Sequence, residues 1–218
     1  MCIRDRGYIY KIIDDSELAN VDELTKDEKE NGIDTSKNFY VPYDKGDKDG
    51  NRWYLETPFA IAWSKENVQF LKTDPRARYQ GYTFYFREGF CWIDVNSTYL
   101  KARLKGNGVF DVLSMSLFSM NQIPDWYYVS LINSELISLY VDNFVNNTSH
   151  FQINDARQLP IVIPNLKILN KIEQLCKEAI CLKKDSFSSL VDRTTAEEKL
   201  LALQRDLDYY VQAELYGI

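Results

Sequence analysis

The sequence predicts an α+β protein: a mixed β-sheet body with packed helices, followed by a C-terminal helical hairpin. Three observations carry that expectation. Between Phe39 and Phe118, short β-branched and aromatic runs alternate with stretches rich in Gly, Asp and Asn. From Trp126 to Phe144, Val129, Ile132, Leu136, Leu139, Tyr140 and Phe144 recur at three- and four-residue steps, the pattern of a helix packing onto a sheet. From Leu166 onward two further stripes follow, Leu166, Leu169, Ile172, Leu175, Ala179, Leu182 and then Leu200, Leu203, Leu207, Val211.

Composition bounds the function. In 218 residues, 45% apolar and 27% charged side chains suit an ordinary globular chain with a sizeable core. The 15 Tyr and 11 Phe fit a packed core with an interaction surface, because tyrosine joins apolar area to a polar tip. A net charge of −6 argues against a simple basic nucleic-acid binder. The charge is uneven, however: residues 37–110 carry 12 basic and 8 acidic side chains, whereas residues 1–36 carry 5 and 10. Cys2, Cys91, Cys176 and Cys181 lack metal-ligand spacing and read as free thiols. No apolar run approaches the ~18 residues of a membrane span, and no secretory signal is visible. The sequons at Asn96 and Asn146 therefore carry little meaning in the cytosolic chain expected here.

Taken in order, Met1–Arg6 looks like a translated adapter, so an N-terminally truncated piece of a longer protein is expected. Tyr8–Ile13 suits a strand, and Asp22–Gly32 a solvated helix ended by Asn-Gly or a loose linker. Phe39–Val41 and Arg52–Tyr54 read as strands around a turn-rich loop. Asp44, Asp47 and Asp49 in that loop only imitate a calcium site, lacking the closing Glu. Ala60–Trp63 precedes Ser64, a candidate helix cap. Lys72–Gly81 reads as a loop whose Arg, Tyr and Gln suit phosphate contact, stacking and base-edge bonding, or simply solvation. Tyr82–Arg87 alternates like a half-buried strand; Lys101, Arg103 and Lys105 alternate along a loop; Val109–Phe118 reads as one long strand. Pro124 suits a first helical turn. The polar run Asn146–Gln158 passes into Ile161–Ile163, a strand bounded by Pro160 and Pro164. Thr194–Glu197 has capping-box character at the second of two helices, joined by roughly ten residues into a hairpin.

Four motifs carry a resemblance. Tyr85–Gly89 with Trp92 is similar to a Tyr-Phe-Arg-Glu-Gly-x-x-Trp run. Leu131–Ser134 resembles a Leu-Leu-Asn-Ser helix. Leu159–Pro164 matches a Leu-Pro-Ile-x-Ile-Pro strand, and Glu214–Ile218 resembles a Glu-Leu-Tyr-Gly-Leu terminus. Together they resemble the C-terminal target-recognition (TaqI-type specificity) domain of adenine-specific DNA methyltransferases of the type IIG restriction–modification and BREX phage-defence kind. The resemblance implies a DNA target-recognition domain over residues 37–165 and C-terminal helices over 166–218, after a truncated segment 1–36.

It also implies roles. Lys72, Arg76, Arg78, Lys101, Arg103 and Lys105 would hold phosphates, and Arg87 belongs to the same DNA-binding set. Gln80, Asn147, His150, Gln152 and Arg157 would read base edges, since amides pair with adenine and Arg with guanine. The implied partners are double-stranded DNA and a methyltransferase domain or subunit that binds S-adenosylmethionine; this chain itself would bind no cofactor and no membrane. The catalytic Asn/Asp-Pro-Pro-Tyr/Phe motif is absent, because Pro42, Pro58, Pro75, Pro124, Pro160 and Pro164 are all isolated. Gly106-Asn107-Gly108 lacks the context of a cofactor loop, and the single histidine excludes a His-rich metal site. Two other classes stay open: a separate specificity subunit of the type I restriction kind, and a protein-interaction module built on the helical hairpin.

Overall fold

The computed structural model describes residues 10–47, 50–75, 77, 79–95 and 99–218. In chain order the elements are β1 (Tyr10–Ile12), α1 (Lys26–Asn31), β2 (Tyr40–Asp44), β3 (Phe59–Ala62) and α2 (Lys65–Thr73). There follow β4 (Gly89–Ile93), β5 (Ala102–Lys105), β6 (Val109–Phe110), β7 (Ser114–Leu117), α3 (Asp125–Asn133) and α4 (Glu135–Tyr140). The last are α5 (Ile153–Ala156), α6 (Leu166–Phe187) and α7 (Arg193–Tyr209). The fold is α+β, as its sequence predicts. The chain forms two compact units, each stitched from three segments: residues 1–46, 57–89 and 105–114 in the first, and 47–56, 90–104 and 115–218 in the second. The second unit holds the C-terminal helices together with residues 90–104 and 115–165.

The first unit is built on a mixed sheet of order β1-β3-β2-β6. β3 runs antiparallel to both neighbours, with Ile61 opposite Tyr10 on one side and Val41 on the other, while β6 lies parallel to β2. Val41, Ile61, Trp63, Val68 and Leu71 form its buried interior. Local chemistry starts and stops its helices. Thr25 and Glu28 form a reciprocal capping box on α1, and the Ser64 hydroxyl accepts from Asn67 N at the start of α2. Gly32 ends α1 at φ +97°, and a Cβ there would stand 2.6 Å from Lys65 N. The indole Nε1 of Trp63 donates to the α1 carbonyls of Glu28 and Lys29, adding to the bond that Glu28 O accepts from Gly32 N at the helix end.

The second unit combines a three-stranded sheet of order β5-β4-β7 with most of the helical residues. One apolar cluster joins Trp92, Tyr127, Leu131, Ile137, Phe151, Ile172, Leu175, Leu207 and Val211. α6 and α7 form the expected hairpin, with a shorter connector, residues 188–192. Asp192 caps α7 by accepting from Thr195 N, two residues ahead of the expected start.

Five local expectations are corrected. Tyr82–Arg87 is no strand: Gly81 turns at φ +73°, a 3₁₀ turn covers Tyr82–Phe84, and Phe86 adopts φ +60°. Val109–Phe118 splits into β6 and β7, which join different sheets, because Asp111 interrupts it. The Asp111 carboxylate accepts from Leu113 N and from the Tyr43 hydroxyl. Arg52–Tyr54 contributes a single bridge, Trp53 to Arg103, with Trp53 at φ +72°. The helix expected over Trp126–Phe144 breaks at Ser134, whose extended backbone closes α3 while its hydroxyl caps α4. Ile161–Ile163 is not a strand either. The Val162 and Pro160 carbonyls accept from the hydroxyls of Tyr127 and Tyr216, so side chains satisfy them in place of a ladder.

Candidate nucleic-acid interface

The polar run from Asn146 to Gln158 forms a loop followed by the single turn of α5, in the second unit. Its frame is buried. The Trp92 indole on β4 donates to Phe151 O at 2.8 Å, and Phe151 N donates to Asp94 O at 2.8 Å. Phe151 is itself fully buried against Trp92, at 5.4 Å between ring centroids. The loop closes on itself through Asn146, whose amide donates to His150 O and Asp155 Oδ2 and whose Oδ1 accepts from Thr148 N and Oγ1. Asp155 Oδ2 in turn accepts from Gln152 N, capping α5.

On this frame Asn147, His150, Gln152 and Arg157 all stand exposed. His150 Nδ1 lies 3.0 Å from Asp94 Oδ2, which orients the imidazole against β4. The other Asp94 oxygen is buried with no hydrogen-bond partner. Arg157 Nη1 donates to Asn154 Oδ1 at 3.1 Å, aligning the guanidinium along α5. The result is a row of amide, imidazole and guanidinium groups on an anchored loop, a set able to donate to and accept from base edges. Asn146, Asp155 and Asp94 support that row. The polar character of 146–158 was visible in sequence, but Asp94 is 56 residues from His150 in the chain and carries no local signal.

The other expected site residues are dispersed. Lys72 ends α2 in the first unit, exposed, donating to Asn31 Oδ1 at 2.9 Å. Gln80 and Arg87 are exposed in that unit. Arg76 and Arg78 lie outside the described residues. The expected loop of Lys101, Arg103 and Lys105 is corrected: residues 102–105 form β5. Lys101 is half-buried, while Arg103 and Lys105 are only 4% and 5% exposed, withdrawn from any surface that a duplex could reach. Lys105 Nζ donates to Arg87 O and Gly106 O and sits 4.5 Å from the Phe110 ring centroid, so its charge is spent on the first unit's own structure.

Among the described residues no group of His, Cys, Asp and Glu is placed to hold a metal ion. Burial pushes the Cys176 thiol up to about 11, the environment of an inert core cysteine. Among the described residues, no helix is long and apolar enough to cross a membrane. Neither the protein-family models nor the curated proteins contain a match to this chain.

Proposed function

We propose that this chain is the sequence-recognition part of a site-specific adenine-N6 DNA methyltransferase of a restriction–modification or phage-defence system, acting in the cytoplasm. The observation that carries the reading is the row Asn147, His150, Gln152 and Arg157, exposed together on a loop that the Trp92–Phe151 bond ties to a sheet. Base readers need rigid placement, because a displaced donor loses its bond to a base edge. Support also comes from where the four resembling motifs fall. Trp92, Asn133, Pro160 and Tyr216 each make a hydrogen bond that fixes the second unit's backbone. In this reading S-adenosylmethionine and the flipped adenine belong to a partner methyltransferase domain or subunit. The duplex is chosen here.

The test is a salt titration of the chain against a random duplex pool, with the retained DNA sequenced. A shared short motif, with affinity falling steeply as salt rises, supports the reading. Arg157→Ala and Gln152→Ala should each relax the preference at one base pair, by about 1–3 kcal/mol. No retention at low salt by the chain, alone or with a methyltransferase subunit, would sink it.

A further inference from the structure

A second feature, in the first unit, calls for a different ligand. Three rings form a ladder from core to solvent. Trp63 is fully buried; Tyr79 lies against it at 6.5 Å and 23°; Tyr82 stacks on Tyr79 at 5.2 Å and 8°. Tyr82 ends the ladder with 56% of its surface exposed. Edge-on contacts from Tyr85 to both Trp63 and Tyr79 brace the ladder from the side. Phe86, held at φ +60°, packs edge-on against Trp63, and its N–H donates to Gly108 O. A left-handed conformation at a bulky residue is strained and persists only where its surroundings impose it, a condition that clusters at ligand sites.

Tyr79 and Tyr82, with Tyr85 and Phe86 beside them, line a cavity of about 500 Å³, within the range of small-molecule sites. Its opposite wall is α1 and the end of α2, which bring Lys26, Lys29 and Lys72 to the cavity against one carboxylate, Glu30. Asn31 supplies an amide and holds the Lys72 ammonium in place at 2.9 Å. Glu30 lies 3.8 Å from Lys26, so it offsets one of the three ammonium charges. The cavity therefore offers a flat aromatic floor and an excess of positive charge. A cationic guest is repelled by the lysines, and an uncharged aliphatic one uses neither feature. A planar, anionic guest uses both.

We infer that this cavity binds a nucleotide, its base stacked against Tyr82 and its phosphate held by Lys26, Lys29 and Lys72. Base–aromatic stacking tolerates any base, and ammonium groups are point-charge phosphate binders. The guest is either a free nucleotide or one unpaired nucleotide of a strand; both present the same base and phosphate. The site goes beyond duplex recognition and uses neither Gln152 nor Arg157, so the two readings fail separately.

The test is calorimetric titration of the full chain with adenosine 5′-monophosphate, with adenosine, and with a twelve-residue oligothymidylate. The expected result is binding of the monophosphate or the oligonucleotide, with adenosine weaker than its monophosphate. Tyr82→Ala should weaken binding about five- to hundredfold, as loss of one stack does, while Tyr82→Phe retains it. Lys29→Ala should narrow the gap between the monophosphate and adenosine. Tighter binding of the oligonucleotide assigns the site to a strand; binding of the monophosphate alone assigns it to free nucleotide. Circular dichroism checks that each variant is folded, and Tyr82 is exposed enough for substitution to spare the core. Absence of binding by either probe at millimolar concentration, or binding that Tyr82→Ala leaves unchanged, overturns the inference.

Discussion

The two units solve the same problem by different means. The first buries a small interior around Trp63 and closes it with rings, so that its stability rests on shape and on one indole reaching the α1 carbonyls. The second has a larger apolar cluster but places polar side chains inside it. The Asn133 side chain is fully buried, with Oδ1 accepting from Ala102 N at 2.7 Å and Nδ2 donating to Ala102 O at 2.9 Å. The Ser138 hydroxyl accepts from Leu100 N, and Gln204 donates to Asn133 O. Apolar packing stabilises without specifying register; a buried amide pairing both backbone groups of one residue fixes register as well. The second unit, which carries the anchored polar loop, is the one that uses such bonds most.

The largest effect that would sharpen this contrast is Trp63→Ala. It removes the buried indole and should destabilise the first unit by about 3–5 kcal/mol. Hydrogen exchange should show the loss in amides of β2, β3 and α2; protection there as in the wild type would mean that Trp63 is not the keystone. Next is Asn133→Ala, which strips the side-chain partner from the Ala102 N–H, while Ala102 O keeps the bond from Trp53 N. It should cost about 1–3 kcal/mol, the cost of one orphaned group, and urea denaturation measures it. Asn133→Leu should do no better, which separates lost bonds from lost volume.

Gly32→Ala comes third. The left-handed φ of +97° and the contact with Lys65 N oppose any side chain, so a loss above about 1 kcal/mol is expected. Thermal unfolding detects it, and an unchanged midpoint would show that the α1–α2 approach can relax. The smallest effect is at Glu28. Hydrogen bonds from Lys37 and from the Thr25 backbone lower its carboxyl from 4.5 to about 2. A depressed carboxyl contributes stability above its ordinary range and loses it as pH falls through the lowered value. The α1 cap should therefore persist at pH 4 and be lost progressively toward pH 2; Glu28→Gln should flatten that dependence, as followed by carbon-detected NMR titration of the carboxyl and the Thr25 amide.

Part of the candidate interface was legible in the sequence. Amides, a histidine and an arginine clustered within twelve residues, 146–157, mark a polar recognition loop whatever its partners, and the structure places them together and exposed. Residue type could not separate surface cations from buried ones. Lys101, Arg103 and Lys105 look alike in sequence, and only the pairing of β5 and the ring of Phe110 decide that two of them are withdrawn. The ring ladder was hidden for a similar reason: Tyr82 and Tyr85 fit strand alternation as well as they fit a turn, and Gly81 alone hinted otherwise.

What the sequence determined by itself were features with local causes. The α+β class, the cap at Ser64, the glycine end of α1 and the hairpin of α6 and α7 follow from local side-chain patterns and from side chains acting on nearby backbone. The tertiary structure decided where continuous patterns stop. Asp111 divides one apolar run between two sheets by engaging Tyr43. Ser134 breaks a periodic helix and shifts its buried face to Ile137 and Val141, leaving Leu139 and Phe144 exposed. Tyr127 and Tyr216 take carbonyls that a strand at Ile161–Ile163 would have used in a ladder. Periodicity records which side chains face the interior, whereas a hydrogen bond from a residue 35 or 56 positions away decides which partner a backbone group finds.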